Sequence, residues 1–311
     1  MKKVINNILV FLIAIIIIDL ILGSYFSSLY EKNYCQHAGG DLNYYLKYGQ
    51  SDTIIVGSSR VNTMIDNKKI NPNAVNISKP SKHLYYNCAV IHLLKQYDKL
   101  PENLIILNLE PEDFYIENEN DLLEDVYYLK YYYNSNKYIN EKINEISIYE
   151  PLKFLSKSYP FNGENFKLFT NQFQNICDDN INGFYPLNYS ISKSKYLQEK
   201  NKISKKISNK INQNIFQELY LIHKICKAKR IKLCLLLGPT IKKSNDLKQL
   251  IVRKINTFSK KLKIEIFNFS NTNYFNDYTL WADPFHLNYN GSKIYTNLII
   301  EKIKFLKKTD N

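Results

Sequence analysis

Asp52-Thr53-Ile54-Ile55-Val56-Gly57-Ser58-Ser59-Arg60 is the stretch on which the reading of this chain turns. Thr53 to Val56 is a short β-branched run, the pattern of a buried strand. Gly57 ends it with a residue able to take the backbone angles of a tight strand-to-helix turn. Two hydroxyls and a guanidinium follow at once. A serine there stands at the carboxyl end of a strand and near the amino end of the next helix. Open α/β sheets bind ligands at that edge, and backbone N–H groups there stabilise an anion. Gly-Ser-Ser after a strand is also an ordinary loop, so the motif acquires chemistry only from its context.

That context lies near the other end of the sequence, in Ala282-Asp283-Pro284-Phe285-His286-Leu287-Asn288-Tyr289-Asn290-Gly291. An Asp three residues before a His can orient the imidazole and stabilise its protonated form. The His then acts as general base toward a serine remote in sequence. Asn288 to Gly291 reads as a turn opening a last helix over 292–305. Asp283 and His286 are thereby expected on a loop facing the same sheet edge as Ser59.

Between these ends the chain alternates. Residues 60–69 predict a short helix, and a second strand follows Pro72 at 74–77. Leu84, Cys88, Val90, Ile91 and Leu94 recur at helical spacing within 84–97, and 103–109 reads as a third buried strand. Further on come a helix across 203–229, a strand at 231–237 closed by Gly238-Pro239, a helix at about 246–262 and a strand at 264–269. This alternation predicts an α/β fold, a three-layer α/β/α sandwich with a central parallel sheet. From about 114 to 201 the pattern breaks, and the segment reads as a partly helical insertion, a lid or partner surface, within a domain running 51–311. Its clustered tyrosines (127, 128, 131, 132, 133) suit stacking on sugar rings. With 26 Tyr in the chain beside abundant Asn, Lys and Ile, compositional drift explains them as well.

Ahead of that domain, Lys2 and Lys3 precede an apolar run at 8–26, broken mainly by Asp19, Gly23 and Ser24. Its length approaches the roughly 20 residues that cross a bilayer. A cleaved signal peptide is the rival reading, but no small-x-small cleavage site follows, which favours an uncleaved anchor. Residues 1–7 are then a cytoplasmic tail, 8–26 a transmembrane signal anchor and 27–50 a polar connector without clear periodicity. Asp19 either nears the interface or meets a partner. The net charge of +13 invites a nucleic-acid reading, but the Lys residues are scattered and the domain is expected outside the cell. Anionic lipid or an anionic envelope polymer accounts for the charge equally well.

Among five cysteines, Cys88, Cys226 and Cys234 fall on expected buried positions, while Cys35 and Cys177 lie in irregular segments and could pair outside the cytoplasm. His37, His83, His92 and His223 lack a motif. No zinc spacing, Gly-rich phosphate loop or internal repeat is present, so no cofactor and no metal are expected.

Gly57-Ser58-Ser59 after the first strand, with Asp283-x-x-His286 before the last helix, resembles the SGNH (GDSL-type) hydrolase superfamily. The likeness is to its membrane-anchored branch, which includes the D-alanine transfer protein of the teichoic-acid pathway and acetyltransferase-like proteins of polysaccharide clusters. The resemblance implies a flavodoxin-like sheet and a Ser59–His286–Asp283 triad, with Ser58 in the place of the aspartate of Gly-Asp-Ser. Ser78, in Asn76-Ile77-Ser78, and Asn108, in Asn108-Leu109-Glu110, occupy the places of the superfamily's oxyanion donors. Ser78 replaces a glycine, and the second block lacks Gly-x-Asn-Asp. Arg60 either positions a carboxylate or phosphate or forms a salt bridge at the helix start. The resemblance further implies acyl chemistry on hydroxyls of an envelope glycan. One helix cannot carry an activated acyl group across a bilayer, so a polytopic membrane-bound O-acyltransferase is the expected partner, with Asp19 a possible contact. An esterase of the same fold and a non-catalytic binding or assembly subunit are the alternatives.

Overall fold

One parallel sheet of five strands, in the order β2-β1-β3-β4-β5, carries the larger part of the structure. The strands are β1 (Thr53–Val56), β2 (Ala74–Asn76), β3 (Leu104–Leu109), β4 (Lys232–Leu237) and β5 (Glu265–Asn268). The structure is a computed structural model describing residues 1–32, 40–163, 168–170, 183–202, 210–241, 246–270 and 272–309. Cys35, Cys177 and His37, and with them any pairing of the two cysteines, lie outside those residues. β1 and β3 are buried along their whole length, as expected of strands covered on both faces and reading as unbroken Ile, Leu and Val.

The helices are α1 (Lys2–Glu31), α2 (Gly40–Tyr48), α3 (Ser59–Met64), α4 (Asn67–Ile70), α5 (Leu84–Gln96), α6 (Glu119–Tyr127), α7 (Lys137–Ile146) and α8 (Glu150–Lys153). After them come α9 (Lys193–Asn201), α10 (Asn214–Ala228), α11 (Asp246–Leu262) and α12 (Tyr289–Thr309). One face of the sheet (Ile55, Ile106, Cys234, Leu236, Phe267) packs on Val61 and Met64 of α3 and on Tyr295 and Ile299 of α12. The alternate residues point to the opposite face, where α10 packs on β4 and on α5. Three layers result, as the sequence predicts.

Several boundaries differ from the sequence reading, each for a local reason. The helix expected over 60–69 breaks at the extended, fully buried Ile65, because the next N–H, that of Asp66, is taken by Thr296 Oγ1 of α12 at 3.1 Å. Of the helix expected over 203–229, residues 203–209 lie outside the described residues and 214–228 are helical; at 210–212, Lys210 O accepts from Ile116 N–H and Asn212 N–H donates to Phe114 O. α12 starts three residues early, since Asn288 Oδ1 accepts the N–H groups of Asn290 and Gly291, both at 3.1 Å. Part of the connector is helical: Leu42, Tyr45 and Leu46 form one buried face of α2, a spacing the connector reading passed over. Cys88, Cys226 and Cys234 are free and buried, as read.

The chain divides into two compact units, one of residues 1–49 with 126–179 and one of 50–125 with 180–311. In the first, α1 is long and apolar enough to cross a membrane, and its side chains from Val4 to Ile18 are exposed. Its carboxyl end is knitted into the unit. Tyr30 is buried and stacks on Tyr131 with ring centroids 4.0 Å apart, Phe26 stacks on Phe161, and Asn43 Nδ2 donates to Tyr30 O at 2.7 Å. The Asp19 carboxylate is engaged by Ser156, Lys157 and Ser158 of the same chain.

In the second unit Trp281 anchors the segment ahead of His286. It is fully buried, its indole N–H donates to Phe275 O at 2.8 Å, and its carbonyl accepts from Ile191 N–H at 2.9 Å. Trp281→Ala leaves a cavity and an unpaired carbonyl at this point. Chemical unfolding of the purified chain should register a loss of about 3–5 kcal/mol.

Candidate active site

The carboxyl end of β1 is the place where the sheet reverses direction, with β2 on one side and β3 on the other. Strand order leaves a crevice there, at the topological switch point of an open α/β sheet. Gly57 turns the chain into α3 in a space that admits no side chain. A Cβ would stand 2.5 Å from Val61 Cγ2 and 2.7 Å from Asn108 Cβ. Ser58 caps α3: it is buried, its Oγ accepts from Arg60 N–H at 3.3 Å, and its hydroxyl donates to Glu110 Oε1. Ser59 is the first helical residue and half-buried, so its hydroxyl is reachable from the crevice.

His286 meets it. His286 Nε2 lies 2.9 Å from Ser59 Oγ, and His286 Nδ1 lies 2.8 Å from Asp283 Oδ2. In the neutral ring the hydrogen belongs on Nδ1, facing the carboxylate, which leaves Nε2 to accept from the serine hydroxyl. Asp283 is itself fixed by its own loop, since Oδ1 accepts the N–H groups of Phe285 at 2.8 Å and His286 at 3.0 Å. Burial alone would raise the Asp283 pKa, but these N–H groups and the imidazole more than offset it, and the carboxyl is held below its ordinary value. It therefore stays ionised where the His needs an orienting anion. Asn288 steadies the far side of the loop, donating from Nδ2 to Thr279 O at 2.7 Å and to Ser190 Oγ at 2.9 Å.

The other residues singled out in the sequence are placed as follows. Arg60 Nη1 lies 3.8 Å from Glu110 Oε2 with both side chains largely buried, the ion-pair reading of the two. Ser78 donates both its N–H, at 3.1 Å, and its hydroxyl, at 2.5 Å, to Asn76 Oδ1, so these donors are engaged within their own loop. Asn108 is buried next to the end of β3, against Gly57 and 4.0 Å by its Oδ1 from where a Cβ of Gly238 would stand. Ser59 belongs to the first turn of its helix, where the N–H groups of Arg60 and Val61 donate to Ser58 Oγ and Ser58 O. A cavity at the opposite edge of the sheet is lined by Leu104, Cys226, Ile231 and Ile264. Burial pushes the Cys226 thiol up to about 12, which makes it inert there. Among the described residues no group of three or more His, Cys, Asp or Glu is arranged to hold a metal ion.

No protein-family model matches the chain, and comparison with curated proteins gives no match. Among solved structures the chain is similar to a "putative acylhydrolase" of Bacteroides fragilis NCTC 9343 at 11% identity. That likeness covers 87% of this chain and 98% of the other, with a TM-score of 0.43. It is also similar to a GDSL-like lipase of Bacteroides thetaiotaomicron VPI-5482 at 12% identity, over 86% and 98% of the two chains, with a TM-score of 0.39. At such identities and scores these likenesses carry no weight on activity, which rests on the side-chain geometry.

Two parts of the site escaped the sequence reading. Glu110 is one, and the signal for it is the strand register: Val56 pairs with Leu107, so residues 57–59 run beside 108–110. The other is a strap over 183–191, inside the segment read as an insertion. Gly183 O accepts from Asn62 Nδ2 at 3.0 Å, Tyr185 N–H donates to Asn62 O, and Leu187 O accepts from Tyr289 N–H. The strap thus ties α3 to the chain just past His286. Gly183 sits at φ +57°, and a Cβ there would collide with Asn76 O at 1.9 Å, but a lone glycine in a polar stretch carries no warning of this.

His83, the residue just before α5, faces Asp113, whose Oδ2 accepts Glu110 N–H at 3.3 Å. His83 Nδ1 lies 3.0 Å from Asp113 Oδ1. Asp113 raises the His83 pKa to about 9 against the opposing effect of burial, with Asp125 and Glu110 adding to the rise. A folded-state pKa above the unfolded value stabilises the fold fully below pH 6.5, and that contribution is lost as pH rises through about 9. The midpoint of urea unfolding should decline across that window in the native chain and stay flat in His83→Gln.

Proposed function

We propose that this chain is a serine-dependent acyl-transfer enzyme held at a membrane by α1, with Ser59 as nucleophile, His286 as general base and acid, and Asp283 as the group that orients His286. The observation that carries the reading is the unbroken line from Asp283 Oδ2 through the imidazole to Ser59 Oγ, with both contacts under 3 Å. That is the geometry of an activated serine, in which the nucleophile meets a base and the base meets an orienter. As Ser59 Oγ attacks an acyl carbonyl, its proton passes to His286 Nε2. The donor's leaving oxygen takes that proton, and an acyl-Ser59 ester remains. An acceptor hydroxyl then gives its proton to His286 and attacks the ester, and Ser59 recovers the proton as it leaves. Water in place of the acceptor makes the same cycle an esterase.

Transfer to a hydroxyl of an envelope glycan or anionic polymer is favoured by two features. The net charge of +13 attracts polyanions. Gly23, Phe26 and Tyr30 are packed into the folded unit, which argues for an anchor that is kept rather than cleaved. The domain then lies outside the membrane with the amino terminus inside. A polytopic O-acyltransferase would deliver the acyl group.

A fluorophosphonate probe should label Ser59 in the native chain and not in Ser59→Ala, while Ser58→Ala keeps its label. Activity should fall by roughly 10⁴–10⁶ in Ser59→Ala and by roughly 10⁴ in Asp283→Asn. Label found on Ser58 would move the nucleophile by one residue. In cells, replacing Ser59 by Ala should lower ester-linked acyl groups on envelope glycans. A rise would assign the chain to deacylation instead.

A further inference from the structure

Asp19 sits in the apolar run of α1, where an ionised carboxylate without partners would be costly. The chain supplies partners from one turn, Ser156-Lys157-Ser158. The hydroxyls of Ser156 and Ser158 donate to Oδ1 at 2.6 Å each, Ser158 N–H donates to Oδ1 at 3.2 Å, and Lys157 N–H donates to Oδ2 at 2.7 Å. One helical turn later Gly23 lets this turn press onto the helix, since a Cβ there would stand 2.6 Å from the carbonyl carbon of Lys157. From Lys2 to Asp19 the helix rises about 26 Å at 1.5 Å per residue, close to the ~30 Å of a hydrocarbon layer. If Lys2 and Lys3 mark one headgroup boundary, Asp19 and its turn reach the other.

The residues leading into this turn are apolar on a face the unit leaves open. Glu150 and Phe154 point inward, Phe154 stacking on Tyr133 with centroids 3.6 Å apart. Ile148, Leu152 and Leu155, at helical spacing, are 82%, 63% and 80% exposed. Lys157 is exposed beside them, and Leu20, Ile21 and Leu22 of α1 are exposed next to Asp19. Large aliphatic side chains gathered this way mark a surface that is covered in use.

We propose that residues 148–157 form a second membrane contact, lying in the interfacial layer of an anionic bilayer beside α1. Ile148, Leu152 and Leu155 enter the boundary of the acyl chains, and Lys157 lies among the phosphates. The occupant is lipid rather than protein because the patch is continuous with the apolar face of α1 and is fixed to it at the depth of Asp19. The proposal rests on reading α1 as a retained anchor, and the test separates the two.

The single tryptophan, Trp281, is fully buried and supplies a constant background. The full chain is reconstituted in phosphatidylcholine–phosphatidylglycerol vesicles as Leu152→Trp, Leu155→Trp or Ile13→Trp, with bromine placed high or low on the acyl chains. Leu152→Trp and Leu155→Trp should emit at shorter wavelength than in detergent-free buffer mixtures of the same peptide segment and be quenched mainly by shallow bromines. Ile13→Trp should be quenched mainly by deep ones. If Ile13→Trp is quenched while Leu155→Trp answers only to aqueous iodide, the proposal is overturned and the anchor stands. If Leu155→Trp is shielded from both bromine and iodide, a protein or a second copy covers the patch, and the proposal is overturned. If bromine quenches none of the three, the anchor reading falls and the proposal falls with it.

Discussion

The pairing of β1 with β3 is the constraint from which the rest of the site follows. β1 has four residues and is held on both edges, so neither its position nor its register can drift without breaking two ladders at once. With Val56 opposite Leu107, the three residues that leave β1 are delivered beside the three that end β3 and follow it. Gly57 then meets the Cβ of Asn108, Ser58 reaches Glu110, and Ser59 is left to face the crevice. A slip of one residue would send every side chain of the strand to the opposite face and separate all of these partners. The short strand thus does for the Ser59 hydroxyl what a longer element does elsewhere: it fixes an oxygen by fixing the backbone that leads to it.

His286 is positioned by different means, because no strand carries it. It lies on a loop after β5, and such a loop would be mobile if its own hydrogen bonds were its sole support. Trp281 roots it in the core, Ala282 N–H donates to His286 O, and Asn288 closes it against Thr279 and Ser190 while capping the last helix. The strap at 183–191 then joins this loop to Asn62 on the serine's own helix. Ser59 and His286 are therefore linked through a third piece of chain, and the 2.9 Å contact between them need not hold the two segments together by itself.

How much of this could be read in the sequence follows from how local each signal is. Strands of unbroken Ile and Leu are legible from composition alone, and the parallel sheet follows from their alternation with helices. Ser59, Asp283 and His286 are legible as well, since Gly-Ser-Ser and Asp-x-x-His are compact in sequence even though they lie far apart. Glu110 required the register of two strands, which no short window contains. The break at Ile65 needed Thr296, a distant partner competing for a backbone group. Asp19 stood out as an anomaly, but its partners lie in a Ser-Lys-Ser turn with no pattern of its own.

Ser58 shows how the turn copes without a carboxylate of its own. The hydroxyl of Ser58 caps α3, accepting from Arg60 N–H, and donates its hydrogen to Glu110, the residue just past β3. The negative charge is thus supplied from just past the end of β3, and the Arg60 guanidinium stands 3.8 Å from it as counter-charge. A buried carboxylate with a hydroxyl and a cation as partners is far less costly than one left alone. The arrangement keeps an anion near the amino end of α3, where the helix favours it, and leaves the serine next in sequence with His286 as its hydrogen-bond partner.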